Sequence, residues 1–213
     1  MQITLENIIP DFLEKEKIES SGVWNQSLEI KQGEKIQVVA PSGRGKTSLV
    51  HFLYGMRKDY TGKILFDNRE VSFFSPSEHA LLRTNKISII FQDLRLFPDH
   101  TAFENIEIKR TLHPFHPTNT ISEMAGRLGI GSKLNQLCGK CSYGEQQRIA
   151  IIRALQQPFD LLIMDEPFSN LDEMNRKKAM DLILAESAMR NATIILFDLK
   201  DIEYFKPDRL LNL

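Results

Sequence analysis

Residues 40–47 read APSGRGKT, which is the pattern of a phosphate-binding loop with alanine at its first position. Successive backbone N–H groups of such a loop point at phosphate oxygens, and its glycines supply the dihedral angles and the close approach that this requires. The lysine would reach the β- and γ-phosphates of a nucleotide, and the threonine hydroxyl would bind Mg²⁺. The predicted nucleotide ligands are Ser42, Gly43, Arg44, Gly45, Lys46, Thr47 and Ser48.

Two adjacent carboxylates follow an apolar stretch later in the chain. Residues 160–164 (DLLIM) predict a buried strand, and Asp165, Glu166 and Pro167 come directly after it. Asp165 would hold Mg²⁺. Glu166, pointing the other way along an extended chain, would orient or deprotonate an attacking water, which contributes about 10²–10⁴-fold to a rate. By itself the triplet is equally typical of a helix-capping turn, but beside a phosphate-binding loop it predicts nucleotide hydrolysis.

The elements that must position these residues follow from hydrophobic periodicity. The predicted strands are 35–40, 86–91, 160–164 and 193–197, with an edge strand at 209–213 and a hairpin at 63–66 and 69–71. The predicted helices are 46–56, 76–82, 102–109, 121–128, 143–155 and 172–190. Buried strands that alternate with helices form a mostly parallel sheet, which binds ligands beyond the carboxyl ends of its strands. The predicted fold is an α/β P-loop NTPase with a mostly parallel sheet, a small antiparallel β subdomain and an inserted helical subdomain at about 93–157.

Composition limits the classes of function. The 213 residues suit one domain, 1–213, whose core is large enough to fold without disulfides. A net charge of −1 provides no strong field for nucleic acid. No stretch reaches the ~18 apolar residues of a membrane-spanning helix, and the first residues lack the basic and apolar parts of a secretory signal. The chain is therefore expected to be cytoplasmic, with reduced thiols.

Both cysteines lie in the stretch CGKC at 138–141. Zinc usually needs four ligands, and no histidine follows Cys141. A redox motif would begin a helix after a strand, and no strong strand pattern precedes Cys138. Two unrelated free thiols are therefore expected.

Five motifs occur in one order along the chain: the phosphate-binding loop, Gln92 after the strand at 86–91, SYGEQQR at 142–148, Asp165-Glu166-Pro167, and Ser169-Asn170-Leu171-Asp172. This order resembles the ATP-binding subunit of an ABC transporter over nearly the whole chain. A finer likeness, in Leu82-Arg83, in FQDLRLFPDHTAFENI at 91–106 and in GEQQR, is to the ATPases of lipoprotein release, macrolide-type export and a cell-division complex.

The resemblance implies a mechanism and partners. Two subunits, in a homodimer or a heterodimer, would pack head to tail, so that each ATP lies between one phosphate-binding loop and the partner's signature motif. Ser142 and the N–H of Gly144 would contact the γ-phosphate of the partner's ATP, and Asp172 would lie in the loop linking the two sites. The implied catalytic residues are Glu166, Lys46 and Gln92, and the implied Mg²⁺ ligands are Thr47, Gln92 and Asp165. Gln92 would also couple the site to an integral membrane permease, so the subunit would be peripheral on the inner face of the cell membrane.

Two departures from the family pattern bear on activity. The signature, CSYGE at 141–145, has Cys141, Tyr143 and Glu145 where the family usually has leucine, glycine and glutamine. The side chain of Tyr143 either packs on the helical subdomain, points away or weakens the contact in trans. After the strand at 193–197 the family has Thr-His-Asp, with histidine contacting the γ-phosphate. Here the matching residue is Leu199, or Lys200 if the register shifts by one, and no histidine lies downstream. Losing one such donor typically costs about 10²–10³ in rate, although Lys200 could partly substitute as a point charge.

Two kinds of function therefore stay open: an ATPase that drives a permease, and a nucleotide-dependent dimerisation module with little turnover. A small-molecule kinase would have no use for the signature. An aromatic residue upstream of the loop often stacks on adenine in this family, and Phe12 is the first candidate and Trp24 the second, although either could be a packing residue.

Overall fold

The computed structural model describes residues 1–213. The strands are β1 (Ile3–Pro10), β2 (Ser27–Ile30), β3 (Lys35–Val39), β4 (Tyr60–Phe66), β5 (Arg69–Glu70), β6 (Ile87–Ile90), β7 (Leu161–Asp165), β8 (Thr193–Asp198) and β9 (Arg209–Asn212). The α-helices are α1 (Lys15–Glu19), α2 (Lys46–Leu53), α3 (Pro76–Asn85), α4 (Ala102–Leu112), α5 (Asn119–Arg127), α6 (Tyr143–Leu155) and α7 (Glu173–Arg190).

The central sheet is parallel and has the strand order β6-β7-β8-β3-β9. Its strands agree with the five predicted from the sequence to within a few residues at each end, and β9 lies at the edge as expected. The carboxyl ends of β3, β7 and β8 are therefore neighbours. This sheet confirms the predicted α/β fold class. Short apolar strands that alternate with helices can bury both of their faces in such a sheet.

A second, antiparallel sheet has the order β2-β1-β4-β5. The predicted hairpin is confirmed, with Asp67 (φ 46°) and Asn68 (φ 66°) in the left-handed conformation that a two-residue turn requires. The strands β1 and β2 were not predicted from the sequence. The alternation of β1 is interrupted at Asn7 (φ 51°), where its register against β4 shifts, and Gly62 leaves the space that this irregularity needs.

The two faces of the parallel sheet carry separate apolar cores. One core joins the sheet to α2 and the antiparallel sheet, and the other joins it to helices α4 to α7. Helices α4 and α5 lie in the insertion predicted at 93–157, and their buried residues share a core with β7 and β8. The boundaries of that subdomain stay a prediction. None of the helices is both long and apolar enough to span a bilayer.

Candidate nucleotide-binding site

The phosphate-binding loop connects β3 to α2. Gly43 (φ 79°) and Gly45 (φ 90°) adopt the left-handed conformation that favours glycine. A Cβ atom on Gly45 would lie 2.9 Å from the ring of Trp24, so this glycine is required by space as well as by conformation. Ala40 does not have a positive φ, which explains why alanine is tolerated at the first position of the pattern.

Trp24 supports the loop from within the core. Its side chain is fully buried, and its Nε1–H donates to the carbonyl oxygen of Arg44 at 3.0 Å. Trp24 therefore cannot stack on a ligand, and its candidacy as the adenine-stacking residue is wrong. The side chain of Arg44 donates to Ser20 Oγ at 2.7 Å, outside the cleft, so only the backbone of Arg44 is placed to contact a phosphate.

A cleft of about 300 Å³ opens above the loop. It is lined by every residue of 42–48 except Arg44, together with Phe12, Pro41, Gln92 and Glu166. Phe12 is about half exposed, and the guanidinium of Arg57 lies 4.8 Å from its ring centroid. The position of Phe12 suits stacking on a base, and this role stays a prediction.

Lys46 and Glu166 form an ion pair at the bottom of the cleft, where both side chains are largely buried. The expectation that Glu166 continues an extended chain is wrong. Glu166 has φ 47°, and its N–H donates to the carbonyl oxygen of Phe197 at 2.9 Å. The left-handed turn directs the carboxylate at the phosphate-binding lysine, and the neighbouring strand β8 holds it there.

Asp165 ends β7 with its side chain buried and one carboxylate oxygen, Oδ1, without a hydrogen-bond partner. Burial raises the pKa of this carboxyl to about 6, although the charge of Lys46 and the hydroxyl of Thr47 act in the other direction. Thr47 and Gln92 line a cavity together with Asp165. An orphaned carboxylate oxygen beside a hydroxyl and an amide fits Mg²⁺, which prefers oxygen ligands.

The signature residues begin α6. Ser142 caps this helix: its Oγ accepts the N–H of Glu145 at 3.3 Å, and its own N–H donates to Glu145 Oε2 at 2.8 Å. The glutamate that departs from the usual signature glutamine therefore completes a capping box. The N–H and side chain of Ser142, together with Lys133, hold the pKa of the Glu145 carboxyl below its usual value. A Cβ on Gly144 would lie 3.0 Å from the carbonyl oxygen of Asn170, so a larger residue there would require that backbone to shift.

Tyr143 is half exposed at the first position of α6. Its side chain lines the cavity that also contains Gln92 and Asp165 of the same chain. Whether Tyr143 weakens the contact in trans stays a prediction. The ring faces the cleft between its own signature and its own Gln92 loop.

Two residues that were not found from the sequence connect α6 to the catalytic loops. Arg153 donates to the carbonyl oxygens of Leu94 and Arg95, the latter at 2.6 Å, in a loop where both residues have positive φ. The buried Gln147 donates to the carbonyl oxygen of Glu166 at 3.3 Å and accepts the N–H of Asn170 at 3.0 Å. Neither pairing has a local sequence signal, because each joins residues far apart in the chain.

The two cysteines are free, as expected, and both are buried. Burial raises the pKa of the Cys138 thiol to about 11 and also raises that of Cys141. A raised pKa leaves less of the reactive thiolate, roughly one molecule in a thousand for a pKa of 11 at pH 8. We expect a thiol-reactive aromatic disulfide to label neither cysteine rapidly in the native protein and both in denaturant. Fast labelling of one thiol in the native protein would contradict this prediction.

This combination of a phosphate-binding loop, a lysine paired with a glutamate and a buried aspartate at the ends of parallel strands defines a nucleotide-hydrolysing P-loop protein. The family model described as "ABC transporter" matches residues 23–169. The chain belongs to the ABC transporter family and is an ATP-binding, ATP-hydrolysing cassette of that family.

Curated relatives place it more closely. The chain is 38% identical over 162 residues to the lipoprotein-releasing system ATP-binding protein LolD of Aquifex aeolicus, covering 74% of this chain and 72% of that protein. It is 36% identical over 172 residues to the macrolide export ATP-binding/permease protein MacB of Nitrosomonas europaea, covering 79% of this chain and 26% of that protein. These relatives confirm the subgroup that the sequence resembles.

A solved structure agrees with the fold. A dimeric ATP-binding cassette, MJ0796, in a post-hydrolysis state with ADP and Pi, superposes with a TM-score of 0.84 at 25% identity. The superposition covers 99% of this chain and 94% of that one.

Proposed function

We propose that this chain hydrolyses MgATP in a head-to-tail dimer and thereby drives an integral membrane permease. The observation that carries the proposal is the ion pair of Lys46 and Glu166 in the phosphate-binding cleft, beside a cavity in which the buried Asp165 lies with Thr47 and Gln92. The dimeric cassette described above supports the arrangement of two subunits.

In the proposed reaction, the loop N–H groups and Lys46 bind the phosphates. Lys46 must leave Glu166 to do so, which frees the carboxylate to accept a proton from the attacking water. Thr47, Gln92 and Asp165 would hold Mg²⁺, which neutralises phosphate charge when it is bound. The positive end of α2 at Lys46 adds a favourable field for the phosphates.

The second half of each site would come from the partner's signature. The first turn of α6 offers backbone N–H groups, the helix dipole and the hydroxyl of Ser142. Because hydrogen bonds to a charged group contribute about 1.5–3 kcal/mol each, a γ-phosphate in trans can bias two subunits toward closure. ADP, which lacks that group, would not.

The trans contact can be separated from helix capping with a matched control. Ser75 caps α3 through the same capping box as Ser142. We expect Ser142→Ala and Ser75→Ala each to cost about 0.5–2 kcal/mol of unfolding free energy through the lost cap. Only Ser142→Ala should also weaken MgATP-induced dimerisation, by about tenfold.

Thermal unfolding and light scattering after gel filtration measure the two effects. Equal dimerisation of the two variants would exclude Ser142 from the trans site.

The proposed membrane partner and location are supported by the relatives rather than by the cleft. LolD and MacB are named as the ATP-binding parts of a lipoprotein-releasing system and of a macrolide exporter. We infer that this chain is peripheral on the inner face of the cell membrane, bound to a permease that selects the transported substrate. A net charge of −1 gives no reason to propose a nucleic-acid partner.

One experiment tests this function against a second candidate, a dimerisation module with little turnover. The half-exposed Leu199, which stands where the family has histidine, favours that second candidate. Phosphate release and ATP-induced dimerisation should be measured on one preparation, with Mg²⁺ and with EDTA. Mg²⁺-dependent release of phosphate supports the transporter ATPase, and dimerisation without release supports the module.

Recovery of an integral membrane protein with the chain under ATP-trapping conditions tests the partner. If none is recovered, the permease proposal loses its main support.

A further inference from the structure

A fully buried glutamine lies in the middle of the central sheet. Gln37 belongs to β3 between the apolar Ile36 and Val38, and none of its surface is exposed. Its Nε2–H donates to the carbonyl oxygen of Lys200 at 3.1 Å, while its Oε1 has no hydrogen-bond partner. Because an incompletely paired buried amide destabilises a protein, the hydrogen bond to Lys200 needs an explanation.

A second side chain holds the other side of the same residue. Asp198 ends β8 next to Val39 of β3, and its carboxylate accepts the N–H of Leu199 at 2.7 Å and also faces the N–H of Lys200. Side chains from two neighbouring strands, Gln37 in the middle of β3 and Asp198 at the end of β8, therefore hold both peptide groups of Lys200. A lysine on an ordinary surface loop would not need such support.

Lys200 lines a cavity of about 260 Å³ that it shares with Glu166 and Ser169. Glu166 also lines the phosphate cleft, which contains Lys46, so the two cavities share Glu166. The charged residues of the second cavity are Glu166, Arg176, Asp198 and Lys200.

Arg176 is already engaged with backbone carbonyls. Its Nε–H donates to the carbonyl oxygens of Phe168 at 3.1 Å and Leu171 at 2.6 Å. The ammonium of Lys200 forms no ion pair, so it is the cation of this cavity that is available to bind an anion.

We propose that Lys200 is a catalytic residue that donates a hydrogen bond to the γ-phosphoryl group, and that Gln37 and Asp198 are the positioning residues that hold it there. The inference rests on the proposed function of Glu166. As the water oxygen bonds to the γ-phosphorus, the bond from that phosphorus to the β-γ bridging oxygen breaks, and the water proton passes to Glu166. Lys200 keeps its proton and stabilises the charge on the γ-phosphoryl oxygens, and ADP and inorganic phosphate leave.

A double-mutant cycle on steady-state MgATP hydrolysis tests the proposal. Lys200→Ala should lower kcat by about 10–100-fold, below the effect of a fully buried oxyanion donor, with KM for ATP changed by less than about threefold. Lys200→Arg should keep most of the rate, because it keeps the charge. Gln37→Leu should lower kcat by about 3–10-fold in the wild-type background and have no further effect beside Lys200→Ala.

Ser88→Ala provides the matched control. Ser88 is also fully buried in the central sheet, and its hydroxyl donates to the carbonyl oxygen of Ala154 at 2.6 Å, away from the cleft. We expect this variant to lose thermal stability like Gln37→Leu but to keep kcat. Binding of ADP with orthovanadate, a mimic of the transferring phosphoryl group, should weaken in Lys200→Ala while binding of a non-hydrolysable ATP analogue does not.

The outcomes separate this proposal from the proposed function. A wild-type chain that releases no phosphate overturns both. If the wild type is active and Lys200→Ala has the same kcat, only the proposed role of Lys200 is overturned. Lys200 is exposed, so its substitution does not disturb the packing of the core. If Gln37→Leu and Lys200→Ala lower kcat additively, Gln37 does not act through Lys200.

Discussion

Replacing Glu166 by glutamine is expected to lower kcat for ATP by about 10²–10⁴-fold, because the amide cannot accept the proton of the attacking water. The same substitution should tighten ATP binding. Glu166 holds Lys46 in an ion pair, so ATP must compete with a carboxylate for the lysine. Glutamine removes that competitor and retains nearly the same shape.

Two measurements on one variant check this prediction: steady-state phosphate release and the Kd for a non-hydrolysable ATP analogue. Glu34→Gln is a suitable control, because Glu34 forms an ion pair with Arg209 at 2.6 Å on the edge of the sheet. It should change neither quantity. If Glu166→Gln left the steady-state rate untouched, the assignment of Glu166 as the base would be wrong, and unchanged affinity would mean that the ion pair does not compete with ATP.

Replacing Lys46 by alanine is expected to abolish measurable ATP binding at micromolar nucleotide. Each charge-assisted hydrogen bond lost to phosphate contributes about 1.5–3 kcal/mol, which corresponds to about 10–150-fold in affinity. The substitution also affects the stability of the fold. It leaves the carboxylates of Asp165 and Glu166 close together and largely buried without their shared cation. Lys46→Ala should therefore be less stable than the wild type, and Lys46→Ala combined with Glu166→Gln should recover part of the loss.

The chain carries its own probe for this experiment. Trp24 is the single tryptophan, and its indole N–H donates to the phosphate-binding loop at Arg44. Nucleotide titrations followed by tryptophan emission, together with thermal unfolding, measure both effects.

Lys86→Ala is the control, because Lys86 forms an exposed ion pair with Asp160 at 2.8 Å that contributes about 0–1 kcal/mol. Normal ATP affinity in Lys46→Ala would exclude this lysine from the phosphate site. If the double variant were no more stable than Lys46→Ala, the two carboxylates would not be the source of the instability.

Local patterns predicted the fold class and most of the nucleotide site. A phosphate-binding loop is a contiguous stretch whose glycines, lysine and threonine act through near neighbours, so the spacing of Gly45, Lys46 and Thr47 is enough to assign them. The strands of the parallel sheet were equally readable, because buried apolar runs of four to six residues have few other uses. The strand β1 was missed since one irregular residue, Asn7, breaks the alternation on which such predictions depend.

The orientation of Glu166 could not be read in the same way. A residue after a strand is expected to continue it, and only the hydrogen bond to Phe197 of the neighbouring strand selects the left-handed turn. Of the departures from the family pattern in the signature, one could have been explained from the sequence and one could not. Glu145 proved to be a helix cap that the spacing Ser-x-x-Glu could have predicted, whereas the place of Tyr143 beside Gln92 depends on how α6 packs.

By itself, the amino-acid sequence determined that this protein is an ATP-binding cassette, because each motif of the site is a contiguous stretch of a few residues. Only the tertiary structure decided which distant side chains control those groups. Glu166 reaches Lys46 across 120 positions of the chain, and Gln37 reaches Lys200 across 163. Contacts over such separations are created when strands meet in a sheet, and no local periodicity records which strands will be neighbours.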